Sequence, residues 1–295
     1  MDLKQYLTDK KEAVDSFFHS YFKEQREPPV LQQAMAYSLF AGGKRIRPIL
    51  ALASYEACGG NPAEIVPYAS TLELVHTYSL IHDDLPAMDN DDLRRGKPTN
   101  HKIYGEAIAI LAGDALLTEA FSILSDPSLS STVKVADLLR SLREIALASG
   151  LNGMVAGQTQ DILSENLDPD HETLKFIHMH KTAALIRASV MMGPILYGSS
   201  KGILDTLSEY GNNIGLAFQI IDDILDIEGD EKELGKTTGS DERANKMTYP
   251  SLFGLEESRD IAKKLIFSAL SSLSSFSSKA EALREITNYL LTRRS

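Results

Sequence analysis

Apolar residues recur along this chain with the spacing of helices. Ala262, Leu265, Ile266, Ala269, Leu270 and Leu273 fall at i, i+3, i+4, i+7, i+8 and i+11, a stripe along one helix face. Between Ile103 and Leu124, the residues Ala107, Ile108, Leu111, Ala112, Ala115 and Leu116 repeat the pattern. Segments 64–85, 136–165, 172–197 and 203–228 predict helices on the same grounds, and no run of strand length alternates with period two. The breaks are short: Gly59-Gly60-Asn61-Pro62, Asp126-Pro127-Ser128, Leu167-Asp168-Pro169, Gly198-Ser199-Ser200 and the stretch from Glu228 to Asp241. The serine-rich stretch 268–278 has the composition of a linker. Leu270, Leu273 and Phe276 nevertheless keep helical spacing through it, which predicts a helix with a weakly polar face. No linker divides the halves. The expectation is a single all-α domain over residues 1–295, a multi-helix bundle around a central cavity, where sites are built from side chains on facing helices.

Composition narrows the function classes. A hydrophobic content of 43% and a charged content of 24% are ordinary for a soluble globular chain. A net charge of −11 argues against a nucleic-acid or anionic-membrane surface, and turns any local basic cluster into a positive island in a negative field. The single cysteine, Cys58 beside Gly59 and Gly60, excludes an internal disulfide framework and reads as a packing residue near a helix end. The N-terminal segment MDLKQYLTDKKEAVDSFF carries charges throughout. With no apolar stretch reaching the ~18 residues of a membrane span, the expectation is a cytoplasmic protein without stable membrane insertion.

Chemistry concentrates in two aspartate clusters, Asp83-Asp84-Leu85-Pro86-Ala87-Met88-Asp89 and Asp222-Asp223-Ile224-Leu225-Asp226. Each follows an apolar helical run and has bases nearby, Arg94-Arg95 after the first and Lys236 after the second. One such cluster alone reads more readily as a solvated acidic helix end. The pair, with its bases, reads as carboxylates around hard divalent cations that bridge to an anion such as a diphosphate. Asp222 and Asp226, at i and i+4, share a helix face, whereas Asp223 points roughly 100° away. Pro86 disfavours helix at Leu85, so the first helix ends or kinks there and lets Asp89 fold back toward Asp83.

The motifs GGKRIRP (42–48), LVHTYSLIHDDLPAMDNDDLRRGKPTNH (74–101), GMVAGQTQDI (153–162), HKTAALI (180–186), FQIIDDILD (218–226), and GKTTGSD followed by NKMTYP (235–250) resemble those of the trans-isoprenyl diphosphate synthases, in their bacterial farnesyl type. The resemblance implies that Asp83, Asp84, Asp89, Asp222, Asp223 and Asp226 hold Mg²⁺, with Mn²⁺ as a substitute, against the diphosphate of an allylic substrate. It implies that Arg94, Lys181 and Lys236 contact that diphosphate. Lys44, Arg47, His76 and Arg95 would bind isopentenyl diphosphate, and Thr182 and Gln219 would lie by the reacting carbons. A homodimer is implied as well.

Taken singly, these residues have plainer readings. Gly42-Gly43 would cap a helix, Lys44, Arg45 and Arg47 would form a solvated face, His76 would be a core histidine, and Lys181 a surface lysine. His178 and His180 are assigned no metal role, because Mg²⁺ prefers oxygen. Gln158 and Asp161 are left outside the site as helix-bridging residues. Arg293 and Arg294 are a frayed tail or a lid contact, and Gly229–Ser240 is the candidate lid. Tyr78, five residues before Asp83, lies about 7.5 Å down the same helix. A bulky aromatic at that position resembles the farnesyl pattern, against the plainer reading of an interhelical packing residue. The rivals are a geranylgeranyl diphosphate synthase, a class I terpene cyclase, and a non-catalytic regulatory subunit of a prenyl synthase.

Overall fold

The structure is a computed structural model that describes residues 1–165, 170–228 and 247–292. It is all-α. The helices are α1 (Leu3–Tyr21), α2 (Pro29–Leu39), α3 (Ile46–Cys58), α4 (Val66–Asp83), α5 (Asn100–Tyr104), α6 (Glu106–Leu124), α7 (Val135–Ser149), α8 (Met154–Ser164), α9 (His171–Ile177), α10 (Ala184–Tyr197), α11 (Lys201–Glu228), α12 (Tyr249–Phe253), α13 (Leu255–Ser272) and α14 (Glu281–Thr292). A two-residue antiparallel hairpin, β1 (Leu93–Arg94) on β2 (Lys97–Pro98), follows α4.

Apolar side chains gather in two clusters. One joins α1, α2, α4, α6 and α7 through residues such as Phe18, Leu72, Leu116 and Ile145. The other joins α11, α13 and α14 through residues such as Tyr210, Ile266 and Leu283. Helices α3 and α10 contribute to both. Their sequences explain this: in α3 every residue from Pro48 to Tyr55 is buried, and in α10 every residue from Ala188 to Leu196. Helices apolar all round belong in the middle of a core.

Several element ends differ from the periodic reading. The segment 136–165 is two helices, α7 and α8, because the chain turns at Gly150–Gly153. The segment from Ile103 to Leu124 is cut at Gly105, whose φ of +80° a helix does not use. The serine-rich stretch is not one helix. Helix α13 stops at Ser272, and Phe276 is extended. Arg284 explains the break, since its guanidinium donates to the carbonyls of Leu273 (2.9 Å), Phe276 (2.7 Å) and Ser277 (3.2 Å), oxygens a continuing helix would need for itself.

Helix α6 meets the length and apolarity of a membrane span, with a mean hydropathy of 1.8, contrary to the expectation that no stretch would. In this fold its small face packs on α4: a Cβ at Gly113 would lie 2.2 Å from the His82 ring. Cys58 ends α3 and is half-buried, as its glycine neighbours suggest.

Candidate active site

Helix α4 ends at Asp83, and Asp84 caps it. The chain then reverses: the Asp89 amide donates to the Asp83 carbonyl at 2.8 Å and the Asn90 amide to the Leu85 carbonyl at 3.1 Å. Asp89 is thereby brought back toward Asp83, as the proline suggested. The hairpin that follows brings Arg94 onto Asp84, whose Oδ1 accepts from its Nε at 2.6 Å. Asp84 is buried, and burial pushes its carboxyl above the usual range even though Arg94 pulls it down. Burial also pushes Asp83 up to about 6. Lys181 and Arg94 pull it down, while Asp89 and Asp84 push it further up.

Between α3 and α4 on one side and α11 on the other lies a cavity of about 590 Å³. Lys44, Arg47, His76 and Arg95 line one wall, and Thr182, Gln219, Asp222 and Asp226 line the other. Tyr289 and Leu290 of α14 and Leu7 of α1 border it. The four residues expected at isopentenyl diphosphate therefore do share one surface. That surface is crowded with positive charge. Burial lowers Arg47, with repulsion from Arg95 added, and lowers Arg95, with repulsion from Arg45 and Arg94 added. His76 is held well below its ordinary value by burial and by four arginines, so its imidazole is neutral. The Nε of Arg47 is buried without a hydrogen-bond partner. Cations pushed toward neutrality beside an orphaned donor are what an anion site looks like before its anion arrives.

Arg45 also borders that cavity, but its guanidinium is already engaged. It is 3% exposed and donates to Asp15 (2.9 Å), Glu73 (2.8 Å) and the Leu39 carbonyl (2.7 Å), so the reading of 44, 45 and 47 as one solvated face fails at its middle residue. Gly42 and Gly43 lie beyond the α2 cap at Phe40 and do not serve as it. Gly43, at φ +121°, makes room instead. A Cβ there would lie 2.7 Å from the Arg95 guanidinium, which donates to the Gly42 carbonyl.

Lys181 and Thr182 sit in a single π-helical turn, His178–Ala183, inserted between α9 and α10. Such turns are uncommon and concentrate at functional sites. Helix α8 supports this one closely, since a Cβ at Gly157 would lie 2.1 Å from the Lys181 amide nitrogen. Lys181 donates to Asp161 at 2.6 Å, so Asp161, left out by the sequence reading, holds a residue of the site. Thr182 donates to Gln219 Oε1 at 2.6 Å, and Gln219 Nε2 donates to Asp223 Oδ1 at 3.0 Å. Asp223 Oδ2 accepts from the Tyr249 amide at 3.0 Å and lies 3.5 Å from His178 Nε2. Burial drives His178 down to about 3, so it is neutral, and it stacks on the Tyr249 ring. Asp83, Asp84, Asp89, Arg94, Lys181 and Asp223 do not line the large cavity. Lys236, Arg293, Arg294 and the candidate lid Gly229–Ser240 lie outside the described residues.

The acidic residues fit Mg²⁺ by their chemistry. They offer hard oxygen donors, and Asp83 is crowded by burial and by two neighbouring carboxylates. Among the described residues no three His, Cys, Asp or Glu side chains are placed to hold a cation by themselves. Mg²⁺ suits such an arrangement, because it takes one or two carboxylates and completes its shell with phosphate oxygens and water.

The profile of the polyprenyl synthetase family matches residues 28–290. A dimethylallyltranstransferase of Fischerella ambigua is 49% identical over 293 residues, covering 99% of this chain and 84% of the relative. A chloroplastic protein of Arabidopsis thaliana, heterodimeric geranylgeranyl pyrophosphate synthase large subunit 1, is 48% identical over 296 residues, covering 99% of this chain and 80% of the relative. The apo crystal structure of an FPP/GFPP synthase from Zymomonas mobilis superposes with a TM-score of 0.88 at 38% identity, covering 98% of this chain and 99% of the other.

Proposed function

The chain belongs to the polyprenyl synthetase family and is a prenyltransferase, and on that premise we propose that it condenses isopentenyl diphosphate with dimethylallyl and geranyl diphosphates to make farnesyl diphosphate. Asp83, Asp89 and Asp222, with Asp84 and Asp226 beside them, would hold Mg²⁺ against the allylic diphosphate. Bound there, Mg²⁺ supplies Lewis-acid polarisation of the departing diphosphate. Lys181 and Arg94 add positive charge at the same end, and electrostatic stabilisation of departing charge is usually the largest catalytic contribution. Lys44, Arg47, Arg95 and the neutral His76 hold the second diphosphate in the cavity. Its double bond then attacks the allylic cation, whose charge faces the Thr182 and Gln219 oxygens. The proton that leaves goes to the departed diphosphate. Apolar Leu7, Phe218 and Leu290 help exclude water, which would quench the cation.

Product length rests on Tyr78. It is 7% exposed, packs within the apolar cluster of α4 and α6, and stands edge-on to the His82 ring at 5.7 Å. Burial, with the nearby Asp83 charge, pushes its hydroxyl up to about 12. A large buried ring about 7.5 Å before the metal end would floor the space of a chain growing down α4, and this supports a C15 product, although Tyr78 does not line the large cavity itself. The second reading is geranylgeranyl diphosphate, favoured by the name of the Arabidopsis relative. Incubating the protein with labelled isopentenyl diphosphate and resolving products by length separates them. Farnesyl diphosphate, shifting to C20 or longer in Tyr78→Ala, is expected. A C20 product from the unmutated chain makes the second reading correct, and an unchanged distribution in the mutant places the floor elsewhere.

The exposed Ile110 and Leu111 on α6, at 43% and 52%, support pairing with a second copy. Sedimentation equilibrium should then give twice the chain mass.

A further inference from the structure

We propose that Asp223 is a positioning residue and not a ligand of the metal: it fixes the Gln219 amide, and through it the direction of the Thr182 hydroxyl dipole. This inference rests on the prenyl-transfer reading above. Three observations carry it.

The first is placement. Asp222 and Asp226 share the cavity face of α11, whereas Asp223 is roughly 100° around the helix and faces the Tyr249 amide instead. The second is engagement. Oδ1 accepts from Gln219 Nε2 and Oδ2 from the Tyr249 amide, both at 3.0 Å. Asp223 also borders a cleft of about 80 Å³ that Lys181, itself paired with Asp161, lines as well.

The third observation is the polarity of the chain of hydrogen bonds. An ionised carboxylate only accepts, so the NH₂ end of Gln219 must face Asp223 and its carbonyl end must face Thr182. Thr182 has one proton and donates it to Gln219 Oε1 at 2.6 Å. Its lone pairs are then left for the reacting carbons, with the negative end of the dipole toward developing positive charge. Released from Asp223, the Gln219 amide could turn over and present its NH₂ to Thr182. Thr182 would then accept, and its proton would point at the cation. Asp223 thus sets the sign of the dipole at the reaction centre without touching substrate.

The test compares two isosteric variants, Asp222→Asn and Asp223→Asn. Each is titrated calorimetrically with Mg²⁺ and inorganic diphosphate, which do not turn over, and assayed in the steady state. Asp223→Asn should leave Mg²⁺–diphosphate binding and both KM values unchanged while kcat falls about 10–100-fold. Asp222→Asn should weaken Mg²⁺–diphosphate binding by about tenfold or more. Gln219→Ala, which leaves Asp223 in place, should reproduce the kcat loss, and adding Asp223→Asn to it should cost nothing further. A residue that merely stabilised the fold would cost the same in both backgrounds. The proposal is overturned by Asp223→Asn weakening Mg²⁺–diphosphate binding as Asp222→Asn does, by additive kcat losses, or by a normal kcat in Gln219→Ala. Unaltered binding in Asp222→Asn would instead refute the metal reading, and the coupling of 223 to 219 would still decide the positioning role.

Discussion

Helices α4 and α11 both end in an aspartate cluster, yet they present it in different ways. Helix α4 stops at Asp83, the chain folds back, and the hairpin returns Arg94 onto Asp84. Helix α11 runs on through its cluster to Glu228, so its three acids divide between two faces. Asp222 and Asp226 go to the cavity, and Asp223 goes to the Thr182–Gln219 relay. Pro86 is the residue that separates the two cases, because the position before a proline is pushed out of helical geometry. Similar strings of carboxylates therefore yield a folded loop at one end and a straight ladder at the other. Counting aspartates in a motif does not count ligands.

The largest effect should come from removing one acid at each end. Asp83→Ala and Asp222→Ala are each expected to lower turnover by about 10³-fold or more while circular dichroism stays helical, since both clusters would serve one diphosphate. Excess EDTA should do the same to the unmutated protein. Near-normal turnover in either variant breaks the idea that the two ends act together.

Next come the bases. Arg47→Ala should raise KM for isopentenyl diphosphate by about 10–100-fold, a lost hydrogen bond to a charged group being worth ~1.5–3 kcal/mol. Lys236→Ala should raise KM for the allylic substrate instead. The reverse pattern would exchange the two diphosphate sites.

The fold was legible where the reason for each element is local, and illegible where it is tertiary. The stripes in 203–228 and 262–272 and the stop before Pro86 follow from residues a few positions apart. The break after Ser272 depends on Arg284, and the burial of Arg45 depends on Asp15 and Glu73. The π turn at His178–Ala183 has no local sequence signal, and is visible only once Gly157 is seen against the Lys181 backbone. At the site, spacing already separated Asp223 from Asp222. It could not show that Asp161 holds Lys181, because nothing local ties residue 161 to residue 181.

Two smaller effects sharpen the contrast between the helix ends. Gly157→Ala inserts a methyl 2.1 Å from the Lys181 amide. It should cost about 1–3 kcal/mol in denaturant unfolding and lower kcat by displacing the π turn. Wild-type stability and kcat in this variant would mean that the turn is not held by that contact. Pro86→Ala relaxes the constraint that stops α4. Only ~0.4–1 kcal/mol of stability should be lost, with a modest fall in kcat as Asp89 samples positions away from Asp83. An unchanged kcat would mean that the backbone hydrogen bonds of the turn hold Asp89 without the proline.

The central claim is that the carboxylates of the two helix ends share a metal-bound diphosphate. The most direct measurement is an anomalous difference map from crystals grown with Mn²⁺ and inorganic diphosphate. The account predicts Mn²⁺ peaks ligated by Asp83 on the α4 side and by Asp222 on the α11 side, joined through the diphosphate, with none at the Asp223 carboxylate. Peaks confined to one helix end, or a peak ligated by Asp223, would contradict it.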